Sequence, residues 1–144
     1  SRFKKREGYY MKKFEHFKSN LRVLALAEKE NLSNEFIIGG IIDKFFIQFE
    51  LGWKVLKELL SYEGQSISAS GSPKMILKTA FTIYDFIDED IWLGMLKSRN
   101  DMTHIYDALA ARRLVDMILK QYIPEFQKME KGIELFYKDE IDNM

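Results

Sequence analysis

Apolar residues recur along this chain at steps of three and four, the period of helices that turn one face to a core. Tyr10, Phe14, Phe17, Leu21 and Leu24 make the first stripe and predict a helix from about Tyr9 to Glu30. "NLSNE" follows as a break, in which Ser33 or Asn34 can cap the next helix. That second helix is predicted from about Glu35 to Tyr62 and is the most apolar element. Ile38, Ile42, Phe45, Phe49, Trp53, Leu56 and Leu60 line one face, and Phe46 and Leu59 widen it, which assigns the helix a central place. Gly39, Gly40 and Gly52 each weaken a helix interior by up to ~1 kcal/mol relative to Ala. Close approach by a neighbouring helix is the expected compensation.

"EGQSISASGSP" is a polar loop. Ser72 and Pro73 then read as cap and first turn of a short helix carrying Ile76, Leu77, Ala80, Phe81 and Tyr84. Asp88 caps a fourth helix predicted through about Met102, and Asp107 a fifth predicted to about Lys138. The fifth carries Val115, Leu119, Tyr122, Phe126, Met129, Ile133 and Phe136, with a kink expected near Lys120 because Pro124 interrupts the hydrogen-bond ladder. The fold class is all-α: an antiparallel four-helix bundle with an additional short helix. No repeat or linker divides residues 9–144, which read as one helical domain. Residues 1–8 read as a basic N-terminal arm or a remnant of cloning.

Composition narrows the function. Basic and acidic residues balance at 22 each, which argues against a broad nucleic-acid-binding face but leaves a local one open. Cysteine is absent and there are 2 histidines, so neither a thiolate site nor a histidine cage is available, and no metal or cofactor is expected. "FIIGGII" is too short to span a membrane, which needs ~20 apolar residues, and no signal-peptide core stands near the start. A cytoplasmic location is expected.

The chemistry-bearing stretch is "SRNDMTHIY", Ser98 to Tyr106. Trp92, Leu96, Arg99, Thr103 and Tyr106 would share one helical stripe, so Arg99 stands where an apolar side chain is expected. A guanidinium there needs an anionic partner. Glu50 is one candidate; ordinary surface pairing of Glu50, Lys54 and Glu58 is the alternative. On an unbroken helix Arg99 and His104 would point about 140° apart. They converge only through a break, which Asp101 and Asp107 suit, or through a second copy of the chain. The plainer reading also stands: Arg99 and His104 bond the last helix carbonyls, and Tyr106 is core with its hydroxyl at the rim. Asp85, Asp88, Glu89 and Asp90 are either a magnesium site or a cap with a solvated acidic turn.

Three blocks in order, "FELGWKVLKELLSYEG", "SPKMILKTAF" and "WLGMLKSRNDMTHIYD", resemble the nucleotidyltransferase substrate-binding protein family of the HEPN superfamily. The resemblance spans about Phe14 to Phe136 and departs at Gly52, where Ala or a larger residue is expected, and at Phe46, where an acidic one is. It implies a homodimer that pairs with a separate nucleotidyltransferase of the MNT type. It further implies a metal-independent endoribonuclease toxin that acts on RNA and not on DNA, with Arg99 and His104 as catalytic residues and Asn100 and Glu50 in support. The longer form Arg-x4-His-x-Tyr implies AMP transfer to Tyr106 by the partner, which silences the toxin. The family's own name implies the alternative, a non-catalytic subunit that presents a substrate to the nucleotidyltransferase.

Overall fold

The computed structural model describes residues 2–101, 103 and 106–138, with side chains from residue 12 onward except Ser68. Its elements are α1 (Arg2–Leu24), a 3₁₀ turn (Ala25–Lys29), α2 (Glu35–Tyr62), a 3₁₀ turn (Ser66–Ala69), α3 (Pro73–Ile83), α4 (Glu89–Asn100), α5 (Ala108–Met117), a π-helical turn (Ile118–Tyr122) and α6 (Ile123–Phe136). No strand occurs among the described residues. Helices α1, α2, α4 and the continuous α5–α6 rod make an antiparallel four-helix bundle, and α3 is the short addition. Among the described residues no helix is long and apolar enough to cross a membrane.

Local chemistry sets the helix ends. The Asn34 carboxamide accepts from the Phe36 and Ile37 amides, so of the two candidate caps Asn34 starts α2. At the other end Gly64 takes φ +78°, its amide bonds to Ser61 and the Gln65 amide reaches back to Leu60, which is a Schellman closure that only a residue tolerant of positive φ allows. Ser72 caps α3 at Met75, Asp88 caps α4 at Ile91 and Asp107 caps α5 at Leu109 and Ala110. The cap at Asp88 accounts for the acidic turn, and no metal-holding group of three His, Asp or Glu side chains occurs among the described residues.

The central place expected for α2 is observed: it packs on α1, α3, α4 and α5. Its buried face is rotated from the expected one. Trp53 and Phe46 are only partly buried, while Gln48 and Val55 are buried. Gln48 donates to the Phe17 carbonyl at 2.9 Å and accepts from Asn20 at 2.8 Å, so this buried amide is satisfied and ties α2 to α1. The first helix starts at Arg2, ahead of the expected Tyr9, and its last turn is 3₁₀. Phe14, Phe17, Leu21 and Leu24 are buried as the stripe demands.

Where a kink is expected near Lys120, the chain makes a π turn just ahead of Pro124, with the Ile123 amide bonded to the Ile118 carbonyl. The turn shifts the apolar phase: Ile118 and Tyr122 are buried, Leu119 is half out, and Tyr137 replaces Phe136 in the core.

Candidate functional site

Helix α4 holds the candidate residues, and it is fixed at both ends. At its start the Asp88 amide donates to the buried Glu125 carboxylate at 2.8 Å, and Lys128 meets the other oxygen at 2.9 Å. Near its end the Tyr122 hydroxyl bonds Ser98, while burial pushes that phenol's pKa up. Between these anchors Trp92 is fully buried, edge-on to Phe126 and tilted against Phe49. The last turn of α4 is thereby set in rotation and height.

Helix α4 stops at Asn100, two residues short of the expected end. Asp101 is the reason. Its carboxylate accepts from the Thr103 amide at 3.1 Å and the Thr103 hydroxyl at 2.7 Å, a local bond that competes with helix continuation. The Tyr106 and Asp107 amides then close on the Thr103 carbonyl, and Asp107 opens α5. The stripe therefore leaves the core as it ends: Trp92 and Leu96 are buried, Arg99 is half-buried and Tyr106 is 87% exposed. Tyr106 is not a core residue, because the break turns it outward.

Arg99 meets Glu50 of α2 at 2.6 Å, with each side chain about a third exposed. Both readings of Glu50 are seen: it pairs closely with Arg99 across helices and more loosely with Lys54 at 3.8 Å on its own helix. The second Glu50 oxygen accepts from the Trp53 indole at 3.0 Å. Arg99 also donates to the Asn100 side chain at 3.1 Å. One carboxylate thus receives Arg99 on one oxygen and Trp53, with Lys54 nearby, on the other. So exposed a pair adds on the order of 0–1 kcal/mol to stability, so its weight lies in aiming the guanidinium. Arg99, Glu50 and Asn100 are brought together; His104 lies outside the described residues. Trp53 was not among the sequence candidates. Its signal was the i, i+3 spacing to Glu50, masked by its place in an apolar stripe.

Two recesses flank this centre. On one side Lys74, Leu93, Lys97 and Asn100 border a shallow groove of about 590 Å³. On the other, a cleft of about 390 Å³ lies between the starts of α2 and α5. Tyr106 and Arg112 stand on its α5 side, Glu35, Gly39 and Asp43 on its α2 side, over a floor of Ile38, Ile42 and Ala111. Positions 35, 39, 43, 46 and 50 share one face of α2, so cleft and ion pair lie along the same side of that helix.

A comparison with curated proteins returns no match. The family model described as "Nucleotidyltransferase substrate binding protein like" matches residues 10–134, a span that takes in the bundle, the Glu50–Arg99 pair and Tyr106. By that match over most of its length, the chain belongs to the nucleotidyltransferase substrate-binding protein family.

Proposed function

We propose that this chain is the helical partner of a nucleotidyltransferase and that it is itself a metal-independent endoribonuclease, held silent when the partner transfers AMP to Tyr106. The observation that carries this reading is the end of α4: Arg99 sits outside the core, aimed by Glu50, at a break that presents Tyr106 to solvent.

The chemistry needs two kinds of group. The His104 imidazole takes the proton of a ribose 2′-hydroxyl, and the 2′-oxygen attacks the adjacent phosphorus. Arg99 stabilises the charge on the phosphorane through its fixed N–H donors. The P–O5′ bond then breaks, and the 5′-oxygen leaves with a proton from a second imidazole. The products are a 2′,3′-cyclic phosphate and a 5′-hydroxyl. One His104 cannot be base and acid in the same step, so a homodimer that joins two Arg99–His104 sets supplies both. Lys74 and Lys97 beside Asn100, against the single carboxylate of Asp101, leave a small local positive charge that the overall balance of 22 against 22 hides. An AMP phosphate on Tyr106 would compete with the RNA phosphate for Arg99.

The test is RNA cleavage in EDTA by wild type, His104→Ala and Arg99→Ala. Cleavage by wild type alone is expected. A second reading, a non-catalytic subunit that presents a substrate to the nucleotidyltransferase, has its own support: Glu50 already occupies Arg99 at 2.6 Å, and the family's name describes substrate binding. A dimeric wild type that leaves RNA intact supports that reading and ends the first.

A further inference from the structure

We infer that the cleft between the starts of α2 and α5 receives a nucleobase bearing an exocyclic amino group, with the attached phosphate at Arg112. This rests on the proposed function, since it adds a base-reading pocket to that site.

Gly39 is the first argument. It lies inside α2, where glycine costs stability, yet among the described residues no atom beyond its own stretch of helix comes within 4 Å of where its Cβ would stand. Packing within the chain therefore does not require glycine there. What its missing side chain leaves is open room above the apolar floor of the cleft. Tyr106 is the second. Its ring is 87% exposed at the cleft edge, on a break fixed by bonds to the Thr103 carbonyl, and an exposed ring so held offers a stacking face.

Charge sets the orientation. Glu35, Asp43 and Arg112 border the cleft, and none of the three makes an ion pair among the described residues. Two carboxylates disfavour a phosphate inside and favour an exocyclic amino group, which adenine, cytosine and guanine carry and uracil lacks. They disfavour the carbonyl edges of uracil. The guanidinium of Arg112 is the group suited to the phosphate. A volume of about 390 Å³ falls in the range of small-ligand sites, roughly 300–1,000 Å³. Two sources share this chemistry: a base of an RNA strand, and the nucleotide handled by the nucleotidyltransferase.

The experiment titrates AMP and UMP into the intact protein by calorimetry, then repeats both with Gly39→Leu and Asp43→Asn. AMP saturates wild type, and UMP binds about tenfold more weakly. Gly39→Leu abolishes AMP binding while its melting temperature is no lower than wild type, because Leu favours helix and the space is open. Asp43→Asn narrows the AMP–UMP gap, which keeps the test decisive even if the leucine variant misfolds. No saturation by AMP, equal binding of AMP and UMP, or unchanged binding by a folded Gly39→Leu protein overturns the pocket. An oligoadenylate that displaces AMP assigns the pocket to RNA; one that does not assigns it to the mononucleotide. Binding is read without cleavage, so an intact pocket in a protein that cuts no RNA refutes the ribonuclease reading alone.

Discussion

Helix α2 contains three interior glycines, and two of them, Gly52 and Gly39, have opposite surroundings. At Gly52 a Cβ would stand 2.7 Å from the Trp92 ring and 3.3 Å from Phe17. At Gly39 it would meet nothing within 4 Å. The first faces the core, the second faces the cleft. Glycine in a helix is a cost in both places. In the first the chain recovers that cost by packing a tryptophan against bare backbone. In the second no packing contact among the described residues recovers it.

Removing the packed side of this contrast gives the largest effect. Trp92→Ala is expected to lose about 3–5 kcal/mol by urea unfolding, since the ring is fully buried against Gly52, Phe49 and Phe126. A loss under about 1 kcal/mol would mean that the packing of Trp92 on Gly52 does not stabilise the fold. Gly52→Ala comes next, with a net loss of about 1–3 kcal/mol from overpacking against Trp92.

The C-terminal end of α2 offers a pH handle. Tyr137 donates to Glu63 at 3.0 Å and lies 2.6 Å from the Tyr84 hydroxyl; burial, then the Tyr84 and Glu63 neighbours, push its pKa well above the ordinary value. In the unfolded chain the phenol ionises around the usual 10.0, while in the fold it stays protonated. The unfolded state therefore sheds its proton first, so the stability from this group is full below that pH and falls as pH rises beyond it. The urea midpoint of wild type should drop on the alkaline side, with a shallower drop in Tyr137→Phe. Tyr122, raised in the same sense, keeps some slope in that variant. Equal slopes would show that Tyr137 is not held neutral.

The smallest expected change has the opposite sign. Gly39→Ala should gain up to ~1 kcal/mol, because a methyl group there replaces glycine at no packing cost. If Gly39→Ala and Gly52→Ala both destabilise, the two sites on α2 do not differ as described.

The parts legible from sequence were those decided locally. Caps at Asn34, Ser72, Asp88 and Asp107 depend on a side chain and the next two or three amides, and all four are where the caps were sought. The stripe on α1 and the central place of α2 follow from period alone. What depends on neighbours was less accessible. One expectation for three glycines held only for Gly52; Gly39 and Gly40 face open space, and a helical wheel cannot report an absent neighbour. Gln48 went unremarked because its partners, Asn20 and the Phe17 carbonyl, are about thirty residues away in sequence. Glu50 had two candidate pairings, with Arg99 and with Lys54, and only the distances show that it makes both. Tyr106 left the core because Asp101 and Asp107 end and start helices around it, a break foreseen in place but not in its effect on the ring.

The proposed chemistry is tested most directly by the ends it leaves on RNA. Wild type incubated in EDTA should release fragments with 2′,3′-cyclic phosphates and 5′-hydroxyls, and His104→Ala and Arg99→Ala proteins should release none. Fragments with 5′-phosphates, or equal cutting by the His104→Ala protein, would contradict the account.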